Sequence, residues 1–290
     1  MNQTAFTLIN PETKVLAFEV FAFEDCSFFH QLKNYNHYSM VLVTKGAGKV
    51  RADLPEYPFE ANCLMCFSVY QPFRIVADAE FQGILINFHP DFFCIHKHQH
   101  EIACNGVLFN NIYDSPVVRL EDGELSSLLA TANQLMTEMQ NPALAQYELL
   151  VSYLKIFLIN ASRIRLNQDP PVETRDKKEP FVLQTLKDAI EAHYKTKHSA
   201  ADYAGLLNIS VRALSRISKV QFNKTLTNLI AERIIIEAKR ELYLTAKPVK
   251  TIASELGFGD EFYFSRFFKR NAAVSPQTYR ETVGFSRGEG

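Results

Sequence analysis

Two stretches of this chain repeat each other at an offset of 50 residues, and no other feature limits its possible folds so sharply. Leu214-Ser-Arg-Ile-Ser-Lys219 matches Phe264-Ser-Arg-Phe-Phe-Lys269, Thr225 matches Ser275, and Leu229 matches Tyr279. Ahead of each copy lies a short helical run, Ala201 to Leu207 and Val249 to Leu256, followed by a tight turn, Asn208-Ile-Ser and Gly257-Phe-Gly-Asp. Helix, turn of three or four residues, helix, twice over, predicts two helix-turn-helix units. The turn chemistry agrees. Asn208 and Gly257 tolerate the left-handed conformation that ends a helix, and Ser210 and Asp260 suit the N-cap of the next one. Ile209 and Phe258 are then placed to plug the space between paired helices.

The rest of the C-terminal third extends this pattern. After Pro180 the apolar residues keep helical spacing, with breaks at Lys197-His198, Asn208, Asn223, Pro248, Gly257 and Ser275-Pro276. About seven short helices follow from this, the longest from about Thr225 to Thr245. Residues 181–290 carry 17 Lys+Arg against 11 Asp+Glu, a net of +6, whereas residues 1–180 carry 14 against 21, a net of −7. A basic segment beside an acidic one suits contact of the C-terminal part alone with a polyanion.

These residues resemble the DNA-binding domain of the AraC/XylS family. The pattern stands in Ala204, Leu214-Ser-Arg, Lys219, Arg233, Ala238, Leu242, Ile252-Ala253, Gly257-Phe258, Tyr263-Phe-Ser-Arg-Phe-Phe-Lys269 and Ser275-Pro276-Gln-Thr-Tyr279-Arg280. It covers about a third of the chain. It departs from the family where a glycine usually follows each recognition helix, since Asn223 and Ala273 stand there, and where Ser218 replaces a usual phenylalanine. With two of these departures, Asn223 and Ser218, the first unit is expected to be the weaker reader. Asn accepts positive φ more readily than Ala, so the backbone at Ala273 is singled out in the second.

A recognition helix sets its N-terminal residues against base edges in the major groove. With Leu214 and Ile217 expected on the buried face, Arg212, Ser215 and Arg216 are the base-contact candidates of the first unit. With Phe264 and Phe267 inward, Glu261, Phe262, Ser265 and Arg266 are those of the second. Arginine can chelate guanine, glutamate can accept from cytosine N4, and a phenyl ring can pack on a thymine methyl. Lys219, Lys269 and Arg270 follow at the helix ends, where phosphate is the better partner. The competing reading of any one of these charges is a merely solvated side chain. Arg233, on the long helix, is expected to be an ion-pair partner. Two readers joined by one stiff helix would enter successive grooves about 34 Å apart on one face of the duplex.

The first 120 residues read differently. Phe18 to Phe23, Tyr38 to Thr44, Gly48 to Ala52, Cys63 to Val69 and Gly83 to Phe88 are short apolar or alternating runs divided by turns such as Lys45-Gly-Ala-Gly. They predict an antiparallel sandwich or barrel, with the barrel the expected form. Residues 121–166 then show two helical patterns, with Leu125, Leu128, Leu129, Ala132, Leu135 and Met136 on one and Leu149 to Leu158 on the other. Residues 167–180 hold three prolines and read as a linker. The expected architecture is thus multi-domain: a barrel at 1–120, a helical pair at 121–166, the linker, and an all-α domain at 181–290. The family resemblance implies a cupin-like effector barrel, a dimerising helical pair, a small-molecule effector of unspecified identity, duplex DNA as partner, and activation through RNA polymerase.

The remaining motifs stay open. Cys94, His96, His98 and His100 would share a face if their segment were a strand, making a zinc or copper site conceivable. A polar loop with solvated histidines is the alternative. Cys63 and Cys66 would point to opposite faces of a strand, which favours two buried thiols over a redox pair. No phosphate loop, nucleophile elbow or zinc-protease helix is present. No catalytic residue and no cofactor are therefore expected, although a cupin-type metal sensor or enzyme and a protein-interaction regulator with degenerate DNA binding are the rival readings. Five cysteines, no signal-peptide pattern and no run of about 20 apolar residues lead to the expectation of a cytoplasmic protein without membrane contact, and the family resemblance implies that it is a homodimer.

Overall fold

The computed structural model describes residues 5–11, 13–78, 80–102, 104–168 and 181–283. The chain divides into two compact units. The first contains residues up to 111 and from 115 to 169; the second contains Ile112–Asp114 and residues from 170 onward.

The first unit opens with strands β1 (Phe6–Ile9), β2 (Leu16–Phe23), β3 (Tyr38–Lys45), β4 (Gly48–Ala52), β5 (Glu56–Phe59), β6 (Cys63–Phe67), β7 (Phe73–Ala77), β8 (Gln82–Phe88) and β9 (Val117–Arg119). The expected antiparallel pairing holds throughout, but the strands do not close a ring. They form a six-stranded sheet, β1-β2-β8-β3-β6-β9, and a three-stranded sheet, β5-β4-β7. The chain passes from one sheet to the other through Gly46, whose φ is +108° and where a Cβ would lie 2.3 Å from the Glu80 carbonyl oxygen. Only glycine fits there.

Between the sheets lies a core rich in phenylalanine. Phe21, Phe23, Val41, Val43, Met65 and Leu85 of the larger sheet meet Val50, Phe59, Phe73 and Ile75 of the smaller one. Phe67 stacks on Phe73 at 3.9 Å, and Phe23 on Phe81 at 4.8 Å. Alternation along each strand selects the inward side chains. Cys63 and Cys66 are both buried and free, on opposite faces of β6 as expected. Burial pushes the Cys63 thiol up to about 12, which makes it a poor nucleophile.

A helical pair completes this unit: α2 (Asp122–Gln140) and α3 (Gln146–Gln168), after the short α1 (Gln99–Ile102). Glu121 and Glu124 close a capping box at the start of α2, satisfying donors that a helix otherwise leaves unpaired. Leu128, Ala132 and Leu135 of α2 are buried together with Leu150, Leu154, Phe157, Leu158 and Ala161 of α3. Most of the expected linker falls on residues 169–180, outside the described residues.

The second unit is helical, as expected. Its elements are α4 (Phe181–His193), α5 (Ala200–Leu207), α6 (Val211–Phe222), α7 (Leu226–Leu244), α8 (Val249–Glu255), α9 (Glu261–Ala272) and α10 (Pro276–Val283). α7 is the central element, packed against α4, α6, α8, α9 and α10. Its Leu229, Ile230, Ile234, Ala238 and Leu242 fill the middle of the unit.

Candidate nucleic-acid interface

Each of the two predicted motifs forms, and each is fixed by the residues that mark it in the sequence. In the first, Ser199 opens α5 with a capping box to Asp202, and Asn208 ends that helix in the left-handed region at φ 53°. The Ile209 amide then donates to the Ala204 carbonyl at 3.0 Å, and Ser210 caps α6 by accepting from the Ala213 amide at 3.2 Å. In the second, Gly257 takes φ +79°, the Phe258 amide donates to the Ala253 carbonyl at 2.9 Å, and Asp260 caps α9 by accepting from the Tyr263 amide at 2.6 Å. Phe258 is buried and packs within 5.1 Å of the Phe264 ring.

The helices that follow, α6 and α9, bury the same positions. Leu214, Ser218 and Phe222 face inward on α6, and Phe264, Phe268 and Ala272 on α9. This shifts the expected inner face by one residue in its second turn, because Ile217 and Phe267 are only half-buried. Positions four apart lie more nearly in line along the helix than positions three apart, so the stripe runs through Ser218 and Phe268. Ser218 is reconciled with its apolar surroundings by donating to the Lys224 carbonyl at 2.9 Å.

The outer faces carry the residues expected to meet DNA. Arg212, Arg216 and Lys219 are exposed along α6, with Ser215 half-buried between them. Phe262, Arg266, Lys269 and Arg270 are exposed along α9, with Glu261 and Ser265 half-buried. None of these cations makes an ion pair with a described residue, so their charge is available to an outside anion. Phe262 is 75 % exposed, and Tyr263 beside it is also exposed. Tyr263, Val211 and Val220 are apolar or aromatic yet outward, which helical period alone does not reveal. In Tyr263 the signal was its place directly after the N1–N2 pair of α9, where a recognition helix meets base edges.

Other cations are held inside the unit. Arg233 Nε bonds Glu191 Oε2 at 2.7 Å, its guanidinium lies 3.9 Å over the Tyr194 ring, and Glu237 is 3.5 Å away. Burial acts to lower its pKa, but the hydrogen bond and charge of Glu191 more than offset this and hold it above the usual arginine value. The ion-pair role expected of Arg233 is what the geometry displays. Arg280 donates to the carbonyls of Leu242 and Lys247 at 3.2 and 2.7 Å, which ties α10 to the end of α7.

The histidine-rich segment of the first unit takes a different form from the strand on which convergence of its ligands depended. It consists of turns leading into α1. His98 stacks on Phe93 at 4.7 Å and bonds Glu101 at 3.2 Å, and Glu101 also pairs with Lys155 at 2.9 Å. Cys94 is buried and His96 half-buried, while the side chain of His100 lies outside the described set. Among the described residues no three His, Cys, Asp or Glu side chains come together as a metal-binding group. No helix of the described residues is long and apolar enough to cross a membrane.

Two helix-turn-helix units with matched buried stripes and cationic outer faces define a DNA-binding protein of the tandem type. A helix-turn-helix domain family matches residues 203–282. Similar characterised proteins include the regulatory protein SoxS of Salmonella typhimurium, 30 % identical over 102 residues, 35 % of this chain and 95 % of that protein. The transcriptional activator RhaS of Enterobacter sp. (strain 638) is 26 % identical over 64 % of this chain and 73 % of its own. The raffinose operon regulatory protein RafR of Pediococcus pentosaceus is 27 % identical over 56 % of this chain, which spans 54 % of that protein's length. Solved structures with similarity include ToxT of Vibrio cholerae, 17 % identical across 92 % of this chain and 100 % of that one, with a TM-score of 0.41. Another is the C-terminal domain of the response regulator yesN of Fusobacterium nucleatum, 25 % identical over 34 % of this chain and 96 % of that one, with a TM-score of 0.33. The chain belongs to the AraC/XylS family of transcriptional regulators.

Proposed function

We propose that this protein is an effector-responsive transcription regulator that reads duplex DNA through α6 and α9. The observation that carries this reading is the repeated outer face. Arg212, Ser215, Arg216 and Lys219 on α6 stand at the same helical positions as Phe262, Ser265, Arg266 and Lys269 on α9, and the cations among them are free of ion pairs with described residues. Arg212, Arg216 and Arg266 are assigned to base edges, with Glu261 to cytosine and Phe262 to thymine; Ser215 and Ser265 serve either. Lys219, Lys269 and Arg270 are assigned to phosphate. The 19-residue α7 is about 28 Å long at the usual helical rise, a rigid spacer of the scale of one duplex turn.

The wider assignments rest on the family. They are a homodimer formed through α2 and α3, a small-molecule effector held by the β-strand unit, and activation by contact with RNA polymerase. The relatives named above are regulators rather than enzymes, and regulation without catalysis is the reading proposed here. A salt titration of full-length protein on duplex DNA tests the reading. Neutralising several phosphates gives a steep fall of log K with log salt concentration, and a flat dependence would favour a protein-interaction role.

A further inference from the structure

The larger sheet carries a row of polar side chains on its inward face. Glu19 pairs with Asn87 across β2 and β8, and Asn87 with Ser39 across β8 and β3. Two residues further along these strands the same register aligns Phe21, Leu85 and Val41, all in the core between the sheets. The row therefore forms one end of that interior. His37, two residues before Ser39, has the same alternation as it leads into β3.

This row is buried and incompletely hydrogen-bonded. His37 is 6 % exposed, and Ser39 and Asn87 are 1 % exposed each. Asn87 Nδ2 donates to Glu19 Oε2 at 2.7 Å, but Asn87 Oδ1, Ser39 Oγ and both ring nitrogens of His37 have no partner. Buried polar atoms are almost always paired, so four orphans in one place signal a missing partner. Rings border the row: Tyr35 stacks on His37 at 4.5 Å and meets Phe73 edge-on at 6.3 Å, while Phe67 follows Ser39 across to β6. Apolar rings with a few convergent polar atoms are the usual composition of a small-molecule site.

We propose that Ser39, Asn87 and His37 hold a small neutral molecule bearing several hydroxyl groups, as the effector of the regulator reading on which this inference rests. The orphan atoms select that chemistry. Asn87 Oδ1 only accepts, Ser39 Oγ donates and accepts, and a neutral imidazole offers one donor and one acceptor. A hydroxyl can answer each of them. A carboxylate only accepts, so it would leave Asn87 Oδ1 unanswered and would face Glu19 beside it. The described groups facing His37 are Tyr35 and His89, Glu19 lies beside Tyr35 and Asn87, and none of these supplies a fixed positive charge for an anion. The C–H faces of a polyhydroxylated carbon chain would meet Tyr35 and Phe67.

The test is thermal melting of the full chain with millimolar D-xylose, D-galactose or D-mannitol, and with sodium octanoate as the anionic comparison. The expected result is a rise of several degrees with at least one neutral probe, absent with octanoate. Ser39→Ala and Asn87→Leu should both abolish the rise, and Ser39→Ala should melt no lower than wild type without ligand, because removing an unpaired buried polar group does not destabilise. Asn87→Leu also breaks the 2.7 Å bond to Glu19 and is read for the ligand response alone. His37→Phe keeps the stack on Tyr35 and should likewise abolish it. No rise with any neutral probe, or a rise with octanoate alone, overturns the proposal. So does a lower melting temperature of Ser39→Ala without ligand, which would show that bound water already completes the row. Specific DNA binding by the same wild-type preparation, measured separately, keeps failure of this site distinct from failure of the regulator reading.

Discussion

Asn223 and Ala273 end equivalent helices, 50 residues apart, in the same left-handed backbone conformation, with φ of 54° and 63°. Asparagine adopts that region with modest strain, whereas the alanine Cβ is held close to its own carbonyl. Ala273→Gly is therefore expected to stabilise the protein by about 1 kcal/mol, and Asn223→Gly by less. Thermal melting of the two variants beside wild type checks this, and a fall in melting temperature for Ala273→Gly would contradict it.

Ser218 lies among apolar side chains and anchors the turn into α7 through the Lys224 carbonyl. Removing its hydroxyl leaves that carbonyl without the bond, so Ser218→Ala should destabilise by about 1 kcal/mol. Ser218→Phe, which makes the first unit like the second, should cost more, because the space is already filled. Denaturant midpoints read both effects.

Arg233 and Arg216 are both arginines of the second unit but are expected to fail differently. Arg233→Met removes the ion pair to Glu191 and leaves Glu237 paired with Arg240 at 2.6 Å. It should lower stability by about 2 kcal/mol, less than a fully buried pair would, and should leave the base preference of the folded fraction unchanged. Arg216→Ala should leave stability within about 0.5 kcal/mol of wild type. Equilibrium unfolding and DNA binding measured on the same samples separate the two.

His37 makes stability depend on pH. Burial, with a smaller contribution from His89, lowers its pKa from 6.5 to about 3. The neutral ring is thus the folded form, while the unfolded chain takes up a proton below 6.5. The contribution of His37 is complete above pH 6.5 and is lost as pH falls from there towards 3, with a slope approaching about 1.4 kcal/mol per pH unit. Wild type and His37→Phe melted between pH 7.5 and 5 should diverge in this sense, and parallel curves would show that His37 does not titrate on unfolding.

Much of the second unit is legible in the sequence because its signals are local. Asn208, Gly257, Ser210 and Asp260 act within three residues of where they stand, and the two copies corroborate each other. The phase of the buried stripe was not legible. Ile217 and Ser218 both fall within the inward arc of α6, and polarity steers a reader to the isoleucine. In the first unit β5 is obscured by Pro58, which an edge strand tolerates because the lost amide would face solvent, and β1 and β9 are short. The polar row of Glu19, Ser39 and Asn87 looks like ordinary outward alternation. Only the register of β2, β8 and β3, a long-range property, turns it inward.

Selection and sequencing of random duplexes bound by the full-length chain tests the central claim most directly. The account predicts an asymmetric motif of two elements about one helical turn apart, with Arg216→Ala relaxing one element and Arg266→Ala the other, each by about 1–3 kcal/mol at the affected base pair. Lys219→Ala or Lys269→Ala should instead weaken binding evenly and reduce the salt slope by about 1. A pool that stays random, or two arginine variants that relax the same element, would contradict reading by α6 and α9.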